Sequence, residues 1–197
     1  MANHLAIHSF SQSLVDFLGQ SYAAFRALPE GTGLPGATFD LLSSAEFGSD
    51  KEIKDKVTVY LHRISLNQHQ RNAAPTQAIS PVALDLHFLL TPWLDTADDE
   101  LAVLGWAIRE LHYHAFLDRS ALSDDANWAV DESISLVPDD LSAEDMARIW
   151  EAARRGYRLS YPFLARVVRL GRTLPEETTP AVARRFTYTD NLLERAP

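Results

Sequence analysis

The chain contains no cysteine. That excludes disulfides, thiolate zinc sites, iron–sulfur clusters and a cysteine nucleophile, and it fits a reducing compartment. No stretch approaches the about 18 consecutive apolar residues that a membrane-spanning helix needs. Residues 1–19 have no basic n-region, and Asn3, His4, His8, Ser9, Gln12 and Asp16 interrupt their apolar residues. The expectation is no secretory leader and no direct membrane insertion. A Walker A lysine motif is missing, and so is the Gly-x-Ser-x-Gly turn that holds a strained nucleophile. Gly31, Gly33 and Gly36 approximate Gly-x-Gly-x-x-Gly, but a helical pattern precedes them instead of a strand, so they read as a loop. His112 and His114 stand two apart, which puts them on different faces of a helix and not at the three- or four-residue spacing of helical metal ligands. We therefore expect no catalytic residues, no metal and no cofactor.

What is present is ordinary globular material. The chain has 197 residues, 46% hydrophobic and 23% charged, enough for one packed domain without staples. Its formal net charge is -9, which argues against nucleic acid as a partner. The charge is uneven. Residues 151–197 hold nine Arg against five acids, whereas residues 1–150 hold 9 basic and 22 acidic residues. One reading is a solvated acidic surface with an ordinary C-terminal strand. The other is head-to-tail association, with one copy's basic end on its neighbour's acidic face.

Hydrophobic spacing sets the elements. Leu5, Phe10, Leu14, Phe17, Leu18, Phe25 and Leu28 predict a helix over 3–28, closed by Pro29 and the glycines. Phe39, Leu41 and Leu42 suggest a short strand, and 49–56 reads as a solvated connection. Period-two alternation predicts a central strand over 57–67 and a second over 82–90, stopped by Pro92 and antiparallel to the first across the polar stretch 67–81. Leu84, Leu86, Phe88 and Leu90 should face the core, with Ala83, Asp85, His87 and Leu89 opposite. Thr96 is an expected N-cap, followed by Asp98, Asp99 and Glu100 at the positive end of a helix that runs to about Phe116. Residues 118–132 read as an acidic, turn-rich stretch, and 133–137 as a short strand. Ser142 should cap a helix carrying Met146, Ile149 and Trp150, ended by Gly156. Residues 157–170 read as extended, with Pro162 pointing to an edge position or a bulge. The order predicts an α+β fold, a small mixed or antiparallel sheet with helices on one side. Its domain should occupy residues 1–172, with a loosely held C-terminal extension at 173–197.

Chemistry is sparse. Asp85 and His87 share a strand face about 7 Å apart, so they could form an acid–base pair or a polar face beneath a neighbouring subunit. Asp98-Asp99, Asp124-Asp125 and Asp139-Asp140 sit at caps and turns, which explains them without catalysis. Trp93 follows a strand-ending proline and Trp128 lies in an acidic stretch, so either could anchor an interface.

One block carries a resemblance. Leu84, Asp85, Leu86, His87, Leu89, Leu90 and Thr91, then Leu104, Gly105, Ala107, Arg109, Leu111, His112, His114 and Leu117, resemble the strand–helix signature of the Pvc16-like family. The opening helix, the strand Val57-Thr-Val-Tyr-Leu-His-Arg-Ile, and Trp150 with Tyr157-Arg-Leu-Ser-Tyr and Arg166-Val-Val-Arg-Leu extend the likeness over roughly residues 3–170. Tyr113 and Ala115 depart from the Asp and Pro usual there, and Pro162-Phe163 interrupts the last strand. The resemblance implies a phage tail-terminator fold and a non-enzymatic cap protein of a bacterial contractile injection system. Such a protein forms a homohexameric ring on the last inner-tube ring, stops tube polymerisation and anchors the final sheath layer. Tube protein, sheath protein and further copies of the chain are then its partners. It would work in the bacterial cytoplasm during assembly and stay in a phage tail-like particle. Within that reading, Arg166 and Arg169 are candidates to reach an acidic neighbour. The rivals are an assembly adaptor or chaperone of the particle, and a hydrolase using Asp85 and His87.

Overall fold

A computed structural model describes residues 2–67 and 81–171. The expected extension at 173–197 and most of the polar stretch 67–81 lie outside the described residues. Helix α1 spans Ala6–Arg26, strand β1 Thr38–Leu42, helix α2 Ser44–Phe47, strand β2 Lys56–Leu66 and strand β3 Val82–Trp93. Helix α3 spans Ala97–Tyr113, strand β4 Phe116–Asp118, strand β5 Ser133–Pro138, helix α4 Ala143–Ala152 and strand β6 Tyr161–Leu170. The six strands form one sheet in the order β1-β2-β3-β6-β5-β4. It is mixed: β1 runs parallel to β2, and the other pairings are antiparallel. The parallel pair requires a crossover, and residues 43–55 with α2 supply it.

The main core lies on one face. Leu84, Leu86, Phe88 and Leu90 point there from β3 and meet Phe10, Leu14 and Leu18 of α1 and Val103, Trp106 and Ala107 of α3. Phe88 stacks on Phe163 with ring centroids 5.4 Å apart, and Trp106 meets Tyr22 edge-on at 4.8 Å. Thr96 caps α3 by accepting from the Asp99 backbone N–H, and three carboxylates follow in its first turn. Ser142 caps α4 in the same way, through the Asp145 N–H. Gly31 has a steric reason: a Cβ there would lie 2.1 Å from the Phe25 carbonyl oxygen.

Several expectations need correction. Helices lie on both faces, not one. The α2–α4 side buries Phe47, Met146 and Trp150 against Leu89 and Trp93 in a second, smaller core. Pro92 does not stop β3, which continues to Trp93. Beyond Leu90, β6 has not begun, so Pro92 has a strand on one side only and its missing N–H costs no ladder bond. Pro162 marks neither an edge nor a bulge. Strand β6 is interior, and the register shift falls further along, opposite Asp85. The Pro162 carbonyl accepts from the Asp139 N–H, so its nitrogen faces the β5 side just past the last residue of β5. Helix α3 stops at Tyr113, and Phe116 belongs to β4.

Candidate functional site

Helix α4 covers the Leu89–Trp93 end of the second sheet face. The remainder of that face, over β2, β3 and β6, is polar and forms a recess of about 430 Å³ lined by Arg63, Ser65, Asp85, His87, Asp139 and Arg166. Strand parity produces it: Asp85 and His87 alternate with the core leucines, and Ser65 and Arg63 pair opposite them on β2.

The structure gives Asp85 and His87 different partners. Asp85 accepts from Asn67 Nδ2 at 2.9 and 3.1 Å and lies 3.7 Å from Arg166 Nε. His87 is buried. Its Nδ1 lies 2.7 Å from Asp139 Oδ2 and its Nε2 2.9 Å from Ser65 Oγ, and Arg63 Nη2 sits 3.2 and 3.3 Å from the two ring nitrogens. Ser65, His87 and Asp139 thus have the spacing of an acid–base relay, which the sequence hid because 52 residues separate His87 from Asp139. The setting is not that of a nucleophile. Ser65 pairs with Asp85 as the next-to-last pair of the antiparallel β2–β3 ladder, in extended strand, whereas a serine nucleophile stands on a strained turn. The Arg63 guanidinium also crowds the imidazole that would take the proton. What the network does chemically is satisfy two buried polar side chains and fix the His87 ring. Nearby, burial in β2 and the charges of His87 and Arg63 lower the His62 pKa to about 4, with Asp139 opposing them. His62 Nε2 is buried and has no hydrogen-bond partner among the described residues.

The expected interface residues divide. Trp93 is 6% exposed and Trp128 5% exposed, so neither stands at the surface as an anchor. Trp93 donates from Nε1 to Thr58 Oγ1 at 2.8 Å, beneath the guanidiniums of Arg155 and Arg158. Trp128 donates to Ser9 Oγ of α1 at 3.0 Å. Their candidacy as interface anchors rests on a preceding proline and an acidic stretch, and burial through long-range contact leaves no local signal. Arg166 and Arg169 are partly exposed, and each faces an acid of its own chain: Asp85 at 3.7 Å and Glu132 at 3.4 Å. A neighbour's carboxylate would have to compete with these. His114, at the end of α3, lies 3.3 Å from Glu110 and edge-on to Phe17.

Two sheet margins complete the surface. Among the described residues, the outer sides of β1 and β4 carry no partner strand. Strand β1 offers five residues and β4 three. Such edges present unpaired N–H and C=O groups and are natural places for another chain to add.

Comparison with known proteins agrees with this architecture. Similar solved structures include the sheath/tube terminator of an extracellular contractile injection system, PVC, in the extended state. It has TM-score 0.54 and 16% identity over 94% of this chain and 65% of that one. The tube-terminating cap of the anti-feeding prophage, AFP, has TM-score 0.50 and 15% identity over 88% of this chain and 58% of that one. The chain therefore spans about three-fifths of each solved protein's length, and at these identities the likeness is one of fold. No curated protein matches the sequence. The family model of the Pvc16 N-terminal domain matches residues 10–184, and the chain belongs to that family.

Proposed function

We propose that the chain is a tail terminator of a contractile injection system. Six copies would form a ring on the last ring of the inner tube, block the polymerising face and hold the final sheath layer. The observation that carries the proposal is membership of the Pvc16 N-terminal domain family across residues 10–184, in a fold like those of two solved terminator proteins. The open margins of β1 and β4 support it, because a cap that works by contact needs places where tube, sheath or a neighbouring copy can extend its sheet. The action is binding, not turnover, since Ser65 lacks the strained turn of a nucleophile. Assembly would take place in the bacterial cytoplasm, and the ring would stay with the particle.

The test is electron microscopy of particles from a strain lacking this chain. Overlong tubes, or sheaths detached at one end, are expected. Particles of normal length with intact ends would reject the terminator role in favour of an assembly adaptor. The relay spacing of Ser65, His87 and Asp139 makes a serine hydrolase a second reading. Labelling of the purified chain by a fluorophosphonate, abolished by Ser65→Ala, would establish that reading instead.

A further inference from the structure

Two surface features have no partner among the described residues. The first is Val130, which is 94% exposed. It stands on a tight turn closed by a hydrogen bond from the Glu132 N–H to the Ala129 carbonyl. The turn is fixed from beneath on both sides. Trp128 is buried and bonded to Ser9 of α1, and Glu132 is buried and paired with Arg169 at the end of β6. Neighbouring Asp131 is exposed. The chain thus holds a valine rigidly out in water beside a carboxylate.

The second feature is an apolar groove of about 470 Å³ between α3 and the β5–β6 margin, walled by Ile108, Leu136, Val137, Tyr161 and Phe163. Gly105 opens onto it in the interior of α3, where glycine weakens a helix relative to alanine. Apart from its chain neighbours and the helix's own backbone, no atom of the described residues lies within 4 Å of where its Cβ would stand, so packing among the described residues gives no reason for a glycine. Close approach by something from outside does give one. The charged side chain of the groove is basic, Arg109, held over the Phe25 ring at 4.5 Å, and the His112 imidazole also lines it.

We infer that the Val130–Asp131 turn of one copy seats in the Gly105 groove of the next, valine against the apolar walls and carboxylate toward Arg109 and His112. Charge complementarity identifies the occupant as a second copy, because an acidic apolar tip and a basic apolar groove occur on the same chain. Ser133, just after the turn, and Pro138, at the groove, are the two ends of β5. Leu136, the first β5 residue to line the groove, stands about 10 Å along the strand from Ser133, and Val130 is itself 94% exposed, so a chain's own tip does not fill its own groove. A contact between two different patches is head-to-tail and closes into a ring when its rotation permits. The inference rests on the ring of the terminator reading and supplies its contact. It also makes Trp128 and Arg169 positioning residues for the tip.

The chain's lack of cysteine allows a clean test. Val130→Cys and Gly105→Cys chains are expressed together and oxidised with diamide, both in isolated particles and as concentrated purified protein. A disulfide-linked pair holding one chain of each kind is expected, with neither variant linking to itself. No mixed pair in either preparation, or Val130→Cys linking equally well to itself, overturns the contact. Val130→Asp should weaken association at least tenfold while the circular dichroism spectrum stays unchanged. Tube length in the deletion strain reads the terminator role separately. Overlong tubes without the link leave that role standing and remove this contact, and normal tubes with the link do the reverse.

Discussion

Arg155 fastens two parts of the chain that are far apart in sequence, and Arg155→Ala should loosen both. Its Nε donates to the Phe47 carbonyl at 2.9 Å, and its Nη2 donates to the carbonyls of Glu46 at 3.2 Å, Lys51 at 2.7 Å and Ser49. Helix α2 is only four residues long, so its last carbonyls have no partners within the helix; that of Glu46 also accepts from the Ser49 N–H and Oγ, and for that of Phe47 the guanidinium is the donor. The same group lies 5.4 Å from the centre of the Trp93 ring. A hydrogen bond from a charged donor contributes about 1.5–3 kcal/mol, but one nitrogen shared among three acceptors does not triple it. The acceptors near solvent would also regain water when the arginine is removed. Adding about 1 kcal/mol for the ring contact gives an expected loss of roughly 2–4 kcal/mol. Urea unfolding of the two proteins measures it. Hydrogen exchange should also rise most in residues 44–54. Arg155→Lys should recover less than half, because an ammonium lacks the planar fork. A loss below about 0.5 kcal/mol, the level of an ordinary surface substitution, would refute the reasoning.

Three further outcomes are expected. His62 has a folded-state pKa of about 4, below the ordinary 6.5, so the unfolded chain binds its proton first and stability falls as pH drops from 6.5 to 4. The ceiling on that loss is about 3 kcal/mol, and the ring's partial exposure reduces it to roughly half. His62→Gln should flatten this part of the pH–stability curve, as read from urea midpoints at pH 7 and pH 4.5. Phe88→Ala removes a fully buried ring stacked on Phe163 and should cost about 3–5 kcal/mol by thermal or chemical unfolding. Asp139→Ala leaves the buried His87 Nδ1 without its carboxylate and should cost about 1–3 kcal/mol by the same assays, more than Ser65→Ala.

The sequence made visible what depends on near neighbours. Alternation in 57–67 and 82–90 located β2 and β3 and identified the core-facing leucines of β3 correctly. Thr96 and Ser142 announced their helices because a cap bonds only two or three residues ahead. Helix α2 and strand β4, at four and three residues, are too short to show a period. The prolines misled because the pattern of one strand does not tell where its partners end. Pro92 and Pro162 both sit where a neighbouring strand is absent or just finished. The polar recess was half legible: Asp85 and His87 were placed on one face, yet Asn67, Ser65 and Asp139 enter it through sheet pairing and loop placement that no local pattern records.

The most direct measurement of the terminator reading is electron cryo-microscopy of the particle ends. The account predicts one ring of six copies of this fold, at a single end, seated on the last tube ring and touching the final sheath layer. A particle without the chain, or with copies distributed along its length, would contradict it.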